Sequence, residues 1–154
     1  MIIQPVRKES FCVIGKEGST DQGQGFVQRL WQDANDHFDE IQHLAKRNEQ
    51  GNLIGIWGAM TDFSRQFHPW TNDFSEGLYL AGVECDDDAA APSCWAKWTI
   101  PGFEYLILKC EVNCGFAEMI RYLADNNVTL AGAVHDFTDP TTGESYMYFP
   151  VRKL

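Results

Sequence analysis

Between Phe26 and Asn48 apolar residues recur every three or four positions: Val27, Leu30, Trp31, Ala34, Phe38, Ile41, Leu44 and Ala45. That spacing is one face of an α-helix. The intervening positions carry Gln28, Gln32, Asp33, Asp36, Asp39, Glu40 and Lys46. The pattern predicts an amphipathic helix over 26–48, stopped at Gln50-Gly51-Asn52. Such a helix must lay its stripe on an apolar surface, and its neighbours supply one. Phe11-Cys12-Val13-Ile14 reads as a strand ending at Gly15, while Leu53 to Met60 and Leu78 to Glu84 read as two more. The order is β-α-β-β. It returns in the second half. Phe103 to Val112 reads as a strand, and Phe116 to Asn126 as a helix with Phe116, Met119, Ile120 and Leu123 as its stripe. Ala131 to Phe137 and Tyr146 to Val151 are strands joined by the turn Asp139-Pro140-Thr141-Thr142-Gly143.

Two such units predict an α+β fold. The pseudo-symmetric β-α-β-β halves share one antiparallel sheet, with helices on one face and a ligand cleft between them. The 154 residues suit a single domain, 1–154, with halves at about 1–84 and 95–154. The repeat lies in the order of elements, not in residue identity. The glycine-rich stretch Gly18 to Gly25 has neither GK[ST] nor GxGxxG and reads as a connector.

Charge and motifs narrow the function. The formal net charge is −10, a field that repels phosphate backbones and attracts cations. No apolar run approaches the ~20 residues of a membrane-spanning helix, and the first residues do not resemble a secretory leader. Five cysteines without a regular framework (Cys12, Cys85, Cys94, Cys110, Cys114) fit unpaired thiols in a reducing cytoplasm. HExxH, GxSxG, a Walker loop and CxxC are all absent. His37 and His43 are six apart on their helix, on different faces, so no metal site is expected. No cofactor is expected either.

The notable excess is aromatic: five Trp, five Tyr and ten Phe. Trp31 and Phe38 belong to the helix stripe. The connection holding Phe63, Phe67, Trp70 and Phe74 is different, because connections run over the surface and are normally polar. Its rings either rim an apolar pocket or pack across the sheet. Acids lie among the aromatics: Glu84 at a strand end, Glu104 and Glu111 on opposite faces of one strand, and Glu144, which shares strand parity with Tyr146 and Tyr148. A carboxylate ringed by π faces binds a desolvated organic cation. The candidate ligand-binding residues are Trp57, Met60, Phe67, Trp70, Glu84, Tyr105, Glu144 and Tyr146.

Three segments carry a family resemblance: Gly77-Leu-Tyr-Leu-Ala-Gly-Val-Glu84, Trp98-Thr-Ile-Pro-Gly-Phe-Glu-Tyr105 and Gly143-Glu-Ser-Tyr-Met-Tyr-Phe-Pro-Val151. Their order and spacing resemble the GyrI-like, or AraC-type, effector-binding domains across almost the whole chain. Ile56-Trp57-Gly58-Ala59-Met60 is similar to a strand of the stand-alone, integron-cassette-associated members. The resemblance implies a ligand cleft on a pseudo-twofold and a preference for lipophilic cationic drugs and dyes. Many members carry a Glu four residues before the proline of the last strand, where this chain has Tyr146, so Glu144 or Glu84 is the expected substitute. The helix-turn-helix that precedes the pocket in the family's regulators is not expected, and with it no direct DNA binding. The resemblance also implies two other readings. One is a small hydrolase using Trp57 or Trp70 with Glu84 or Glu104. The other is an inhibitor with a protein partner.

Overall fold

The computed structural model describes residues 3–110 and 115–154. Eight strands form one antiparallel sheet: β1 (Ile3–Lys8), β2 (Phe11–Ser19), β3 (Ile56–Thr61), β4 (Leu78–Cys85), β5 (Ala96–Ile100), β6 (Phe103–Cys110), β7 (His135–Thr138) and β8 (Ser145–Lys153). Helices α1 (Phe26–Asp36) and α3 (Phe116–Asp125) flank it, and α2 (Thr71–Phe74) is a single turn. The strand order is β1-β6-β8-β7-β3-β4-β2-β5. Outward from its centre, β3-β4-β2-β5 is matched by β7-β8-β6-β1. The halves meet where Trp57 pairs Phe137 and Gly58 pairs Asp136. This is the expected α+β fold with two related β-α-β-β units.

The outermost strands are exchanged between halves. β1 precedes β2 in the chain but pairs with β6, and β5 precedes β6 but pairs with β2. Each link is two residues long, Glu9-Ser10 and Pro101-Gly102. Two residues reach only about 10 Å across their three peptide steps. The two ends of the sheet are therefore drawn together and the sheet rolls up. Gly15 and Gly82, opposite each other on β2 and β4, permit a close backbone approach within the roll. A Cβ on Gly82 would lie 2.1 Å from the Ile14 carbonyl oxygen.

Strand alternation gives the sheet two unlike faces. On one, α1 packs Phe26 with Tyr79 and Ala81, and α3 packs Met119 and Leu123 with Leu108, Met147 and Phe149. On the other, Phe11, Val13, Trp57, Leu80, Trp98 and Ile100 form a closed core. Trp57 is buried at its centre, with ring centroids of Phe137, Phe11 and Tyr148 at 4.7, 4.8 and 4.9 Å.

The long helix expected over 26–48 stops at Asp36. Phe38–Glu40 and Gln42–Leu44 are 3-10 turns instead. Asn35, Asp36 and His37 are weak helix formers, and the His37 ring nitrogen sits 3.0 Å from the Asp33 carbonyl, where the helix leaves off. The stripe is still buried, because Ile41 and Ala45 join Cys12, Ile14 and Val83 in one cluster. Cys12, Cys85 and Cys94 carry free thiols, but Cys110 is disulfide-bonded, so the expectation of five unpaired cysteines does not hold there. Among the described residues no helix is long and apolar enough to cross a membrane, and no His, Cys, Asp and Glu cluster could hold a metal ion.

Candidate functional site

On the helix-bearing face, the seam between the halves is left open. Gly58 of β3, Tyr79 of β4, Asp136 of β7 and Met147 of β8 line its floor, with Trp31 of α1 and Phe116 of α3 beside them. The cleft has a volume of about 590 Å³. Phe116 and Met147 also border a smaller apolar annex of about 170 Å³, completed by Met60, Pro69, Trp70, Phe74 and Val134. The annex is held by the connection 62–77. The Trp70 indole donates to the Leu78 carbonyl at 3.0 Å, and Phe74 meets Phe116 edge to face at 5.2 Å. Of the aromatic connection after β3, Trp70 and Phe74 thus cover an apolar space, whereas Phe67 packs against Trp98 across the sheet and Phe63 is exposed.

The acid of the cleft is Asp136. A short relay orients it: the Trp31 indole N–H donates to the Tyr79 hydroxyl at 3.0 Å, and that hydroxyl donates to Asp136 Oδ2 at 3.4 Å. Burial pushes the Asp136 carboxyl up to about 6, against the opposing pull of the Tyr79 hydrogen bond. Burial and the Asp136 charge together raise the Tyr79 phenol, which remains a neutral donor. Gly58 makes the contact sterically feasible. A Cβ there would lie 1.9 Å from the Tyr79 hydroxyl and 3.2 Å from Asp136 Cβ. Among the described residues Asp136 has no cationic side chain against it. A carboxylate left without a counter-ion beside an indole, a phenol and a phenyl ring is suited to receiving one from outside.

The sequence candidates divide between the two faces. Met60 and Trp70 line the annex, and Tyr146 lines the main cleft. Trp57, Phe67, Glu84 and Tyr105 lie on the closed face. There Phe67 packs with Trp98 at 6.0 Å, and Tyr105 with Tyr148 at 5.2 Å. Tyr105 is fully buried and burial raises its phenol. Glu84 accepts the Trp57 indole N–H at 3.0 Å and pairs with Lys8 at 3.2 Å. The Trp57–Glu84 pair is thus real, but it lies across the sheet from the open cleft. Glu144 is at the surface. The Tyr146 hydroxyl donates to it at 2.7 Å and Lys109 approaches to 3.0 Å, and these two hold its carboxyl below the usual range. Glu104 pairs with Arg152 in solvent. Glu111 lies outside the described residues.

Sequence reasoning did not single out Asp136. Its signal is faint: in His135-Asp136-Phe137-Thr138 alternation puts Asp136 opposite to His135 and Phe137. The neighbouring His135 is buried on the closed face, where Nδ1 accepts the Met60 N–H at 3.0 Å and burial pushes its pKa down to about 3. The pairing of Asp136 with Gly58, which opens space above the acid, joins residues far apart in the chain.

No family model matches the chain, and no curated protein matches it in sequence. Solved structures do match in fold. The structure of SAV2435 bound to tetraphenylphosphonium aligns with a TM-score of 0.67 at 17% identity, covering 99% of this chain and 94% of that one. The C-terminal domain of EcmrR aligns over the full length of both chains, with a TM-score of 0.61 and 11% identity. An integron cassette protein from the mobile metagenome of Vibrio cholerae, VCH_CASS2, gives 0.51 at 14% identity over 97% of this chain and 95% of its own. The chain shares the α+β fold of these three proteins.

Proposed function

We propose that the chain is a binding protein for lipophilic organic cations, which it takes into the Asp136 cleft with an apolar arm in the annex. The observation that carries this reading is a carboxylate with no counter-ion among the described residues, set between Trp31, Tyr79 and Phe116 and beside an apolar recess. The magnitudes suffice. An ion pair at ~4 Å is worth on the order of 4 kcal/mol at an effective dielectric near 20, before desolvation. Each favourable ring adds about 0.5–2 kcal/mol. Their sum is compatible with micromolar binding, about −8 kcal/mol. The cleft volume falls in the usual range for small-molecule sites. The tetraphenylphosphonium held by SAV2435, which has the same fold, supports the same ligand class. The net charge of −10 favours a cation and disfavours direct contact with DNA.

The test is a titration with tetraphenylphosphonium, followed by quenching of Trp31 and Trp70. Asp136→Asn, which keeps the shape and removes the charge, weakens binding roughly thirtyfold, about 2 kcal/mol. The neutral triphenylphosphine oxide binds the wild type no better than the variant binds the cation. Equal affinity of wild type and variant, or of charged and neutral ligands, refutes the reading.

A further inference from the structure

Three residues stand in one row across neighbouring strands. Thr99 of β5 pairs with Cys12 of β2, and Cys12 pairs on its other side with Cys85 of β4. Paired residues of an antiparallel ladder share a face of the sheet, with Cα atoms about 4.5–5.5 Å apart. A disulfide spans about 4.4–6.8 Å between its Cα atoms, so the ladder holds Cys12 and Cys85 within bonding reach. Both carry free thiols. They pack in one apolar cluster with Ile14, Ile41, Val83 and Trp95, and are 3% and 1% exposed.

The two thiols are not equivalent. Burial first, and the neighbouring Cys12 next, push the Cys85 thiol up to about 11, so Cys85 stays protonated. Cys12 Sγ lies 3.4 Å from the Thr99 hydroxyl. Once Cys12 gives up its proton, that hydroxyl can only donate to it, and a hydrogen bond to the charged form favours ionisation. Thr99 is exposed, and its strand is the edge of the sheet, paired only with β2. A strand bonded along one side opens at lower cost than its buried neighbours. The route to Cys12 thus runs past Thr99, and it suits a small, neutral oxidant such as hydrogen peroxide.

We propose that Cys12 and Cys85 form a peroxide-reactive dithiol, with Cys12 as nucleophile, Thr99 as the donor that holds its thiolate, and Cys85 as the resolving thiol. The Cys12 thiolate attacks one peroxide oxygen and the O–O bond breaks. The released hydroxide takes up the proton that Cys12 gave away, and Cys12 is left as a sulfenic acid. The Cys85 sulfur then attacks the Cys12 sulfur. The S–O bond breaks, and the hydroxyl leaves as water with the Cys85 proton. Two thiols and one peroxide become one disulfide and two waters. The product ties β2 to β4 and uses no residue of the Asp136 cleft.

The experiment uses the full chain with Cys94→Ser, which removes the exposed thiol. The folded protein is treated with hydrogen peroxide, quenched, unfolded, alkylated and digested with trypsin. Mass spectrometry finds the peptide Glu9–Lys16 joined by a disulfide to Gln66–Lys97. Adding Thr99→Val slows the cross-link roughly fivefold, the worth of one hydrogen bond. Adding Cys85→Ser stops the reaction at the sulfenic acid, which dimedone labels on Cys12, whereas Cys12→Ser leaves Cys85 unlabelled. Should either serine variant fail to fold, the peptide map of Cys94→Ser decides alone. No cross-link in the folded chain, a cross-link that forms only in urea, dimedone on Cys85 instead of Cys12, or an unchanged rate in Thr99→Val overturns the proposal.

Discussion

The two faces of this sheet hold the same chemical parts in opposite states. On the closed face, Glu84 has an indole donor, a lysine partner and tight ring packing on every side. On the helix-bearing face, Asp136 has one phenol donor and a cleft of about 590 Å³. A carboxylate withdrawn from water must be paired, or its pKa rises until a proton serves instead. The first acid is paired within the chain. The second has no cationic partner among the described residues, and its carboxyl is pushed up to about 6. The contrast teaches that an acid among aromatics is not yet a binding site. What matters is whether the fold has supplied the counter-ion.

The contrast is broken most severely by removing Trp57. Trp57→Ala deletes a buried ring that touches Phe11, Phe137 and Tyr148 and donates to Glu84. The expected loss is about 3–5 kcal/mol of folding stability, as for large aromatic deletions in a core. It is measured by urea unfolding. A loss below about 1 kcal/mol would mean that the closed face is not a packed core.

A pH series separates the acids next. The Asp136 carboxyl moves from an ordinary 3.8 to about 6 in the fold. Between those values the folded chain keeps a proton that the unfolded chain has released, so folding takes one up. The Asp136 contribution to stability therefore falls as pH rises from about 4 to about 6, by up to about 3 kcal/mol at 1.36 kcal/mol per unit. Cation affinity changes in the other direction, rising through about pH 6 as the carboxylate ionises. The check is the difference between wild type and Asp136→Asn in unfolding and in tetraphenylphosphonium titrations from pH 4 to 7.5. A flat difference would show that Asp136 keeps its ordinary pKa.

Much of the fold was legible because it rests on local periodicity. The stripe of α3 and the parities of β4 and β8 follow from spacing alone. The stripe Phe38, Ile41, Leu44 and Ala45 correctly marked burial but not conformation, since 3-10 turns present the same apolar side chains to the sheet. β1 and β5 were missed as strands because each pairs with the opposite half, which no local pattern records. The site was less legible for the same reason. Met60, Trp70 and Tyr146 line the cleft or its annex, but the residue closest to a charge partner for a ligand, Asp136, is defined by its neighbours across β3 and β4. Glu84 matches Asp136 in residue type and aromatic surroundings, and what separates them is Lys8, 76 positions away in the chain.

The smallest expected effect gives the sharpest view of the cleft. Phe74 sits in α2, where Asn72, Asp73 and Phe74 all have positive φ. A left-handed turn of side-chain-bearing residues costs roughly 1–2 kcal/mol per residue, so something must hold it in place. Thr71 and Glu76 close the turn by backbone hydrogen bonds, and the Phe74 ring bears on Phe116 at 5.2 Å, at the border of cleft and annex. Phe74→Ala removes that ring while leaving Asp136 untouched. If the annex receives an aryl arm, the change weakens tetraphenylphosphonium by about 1 kcal/mol, the worth of one aromatic pair, and leaves tetramethylammonium unaffected because that cation has no arm to place. Parallel titrations of the two cations against wild type and variant read the difference. Equal losses for both would mean that Phe74 acts by shaping the charge site through Phe116, and that the apolar recess takes no part in choosing the ligand.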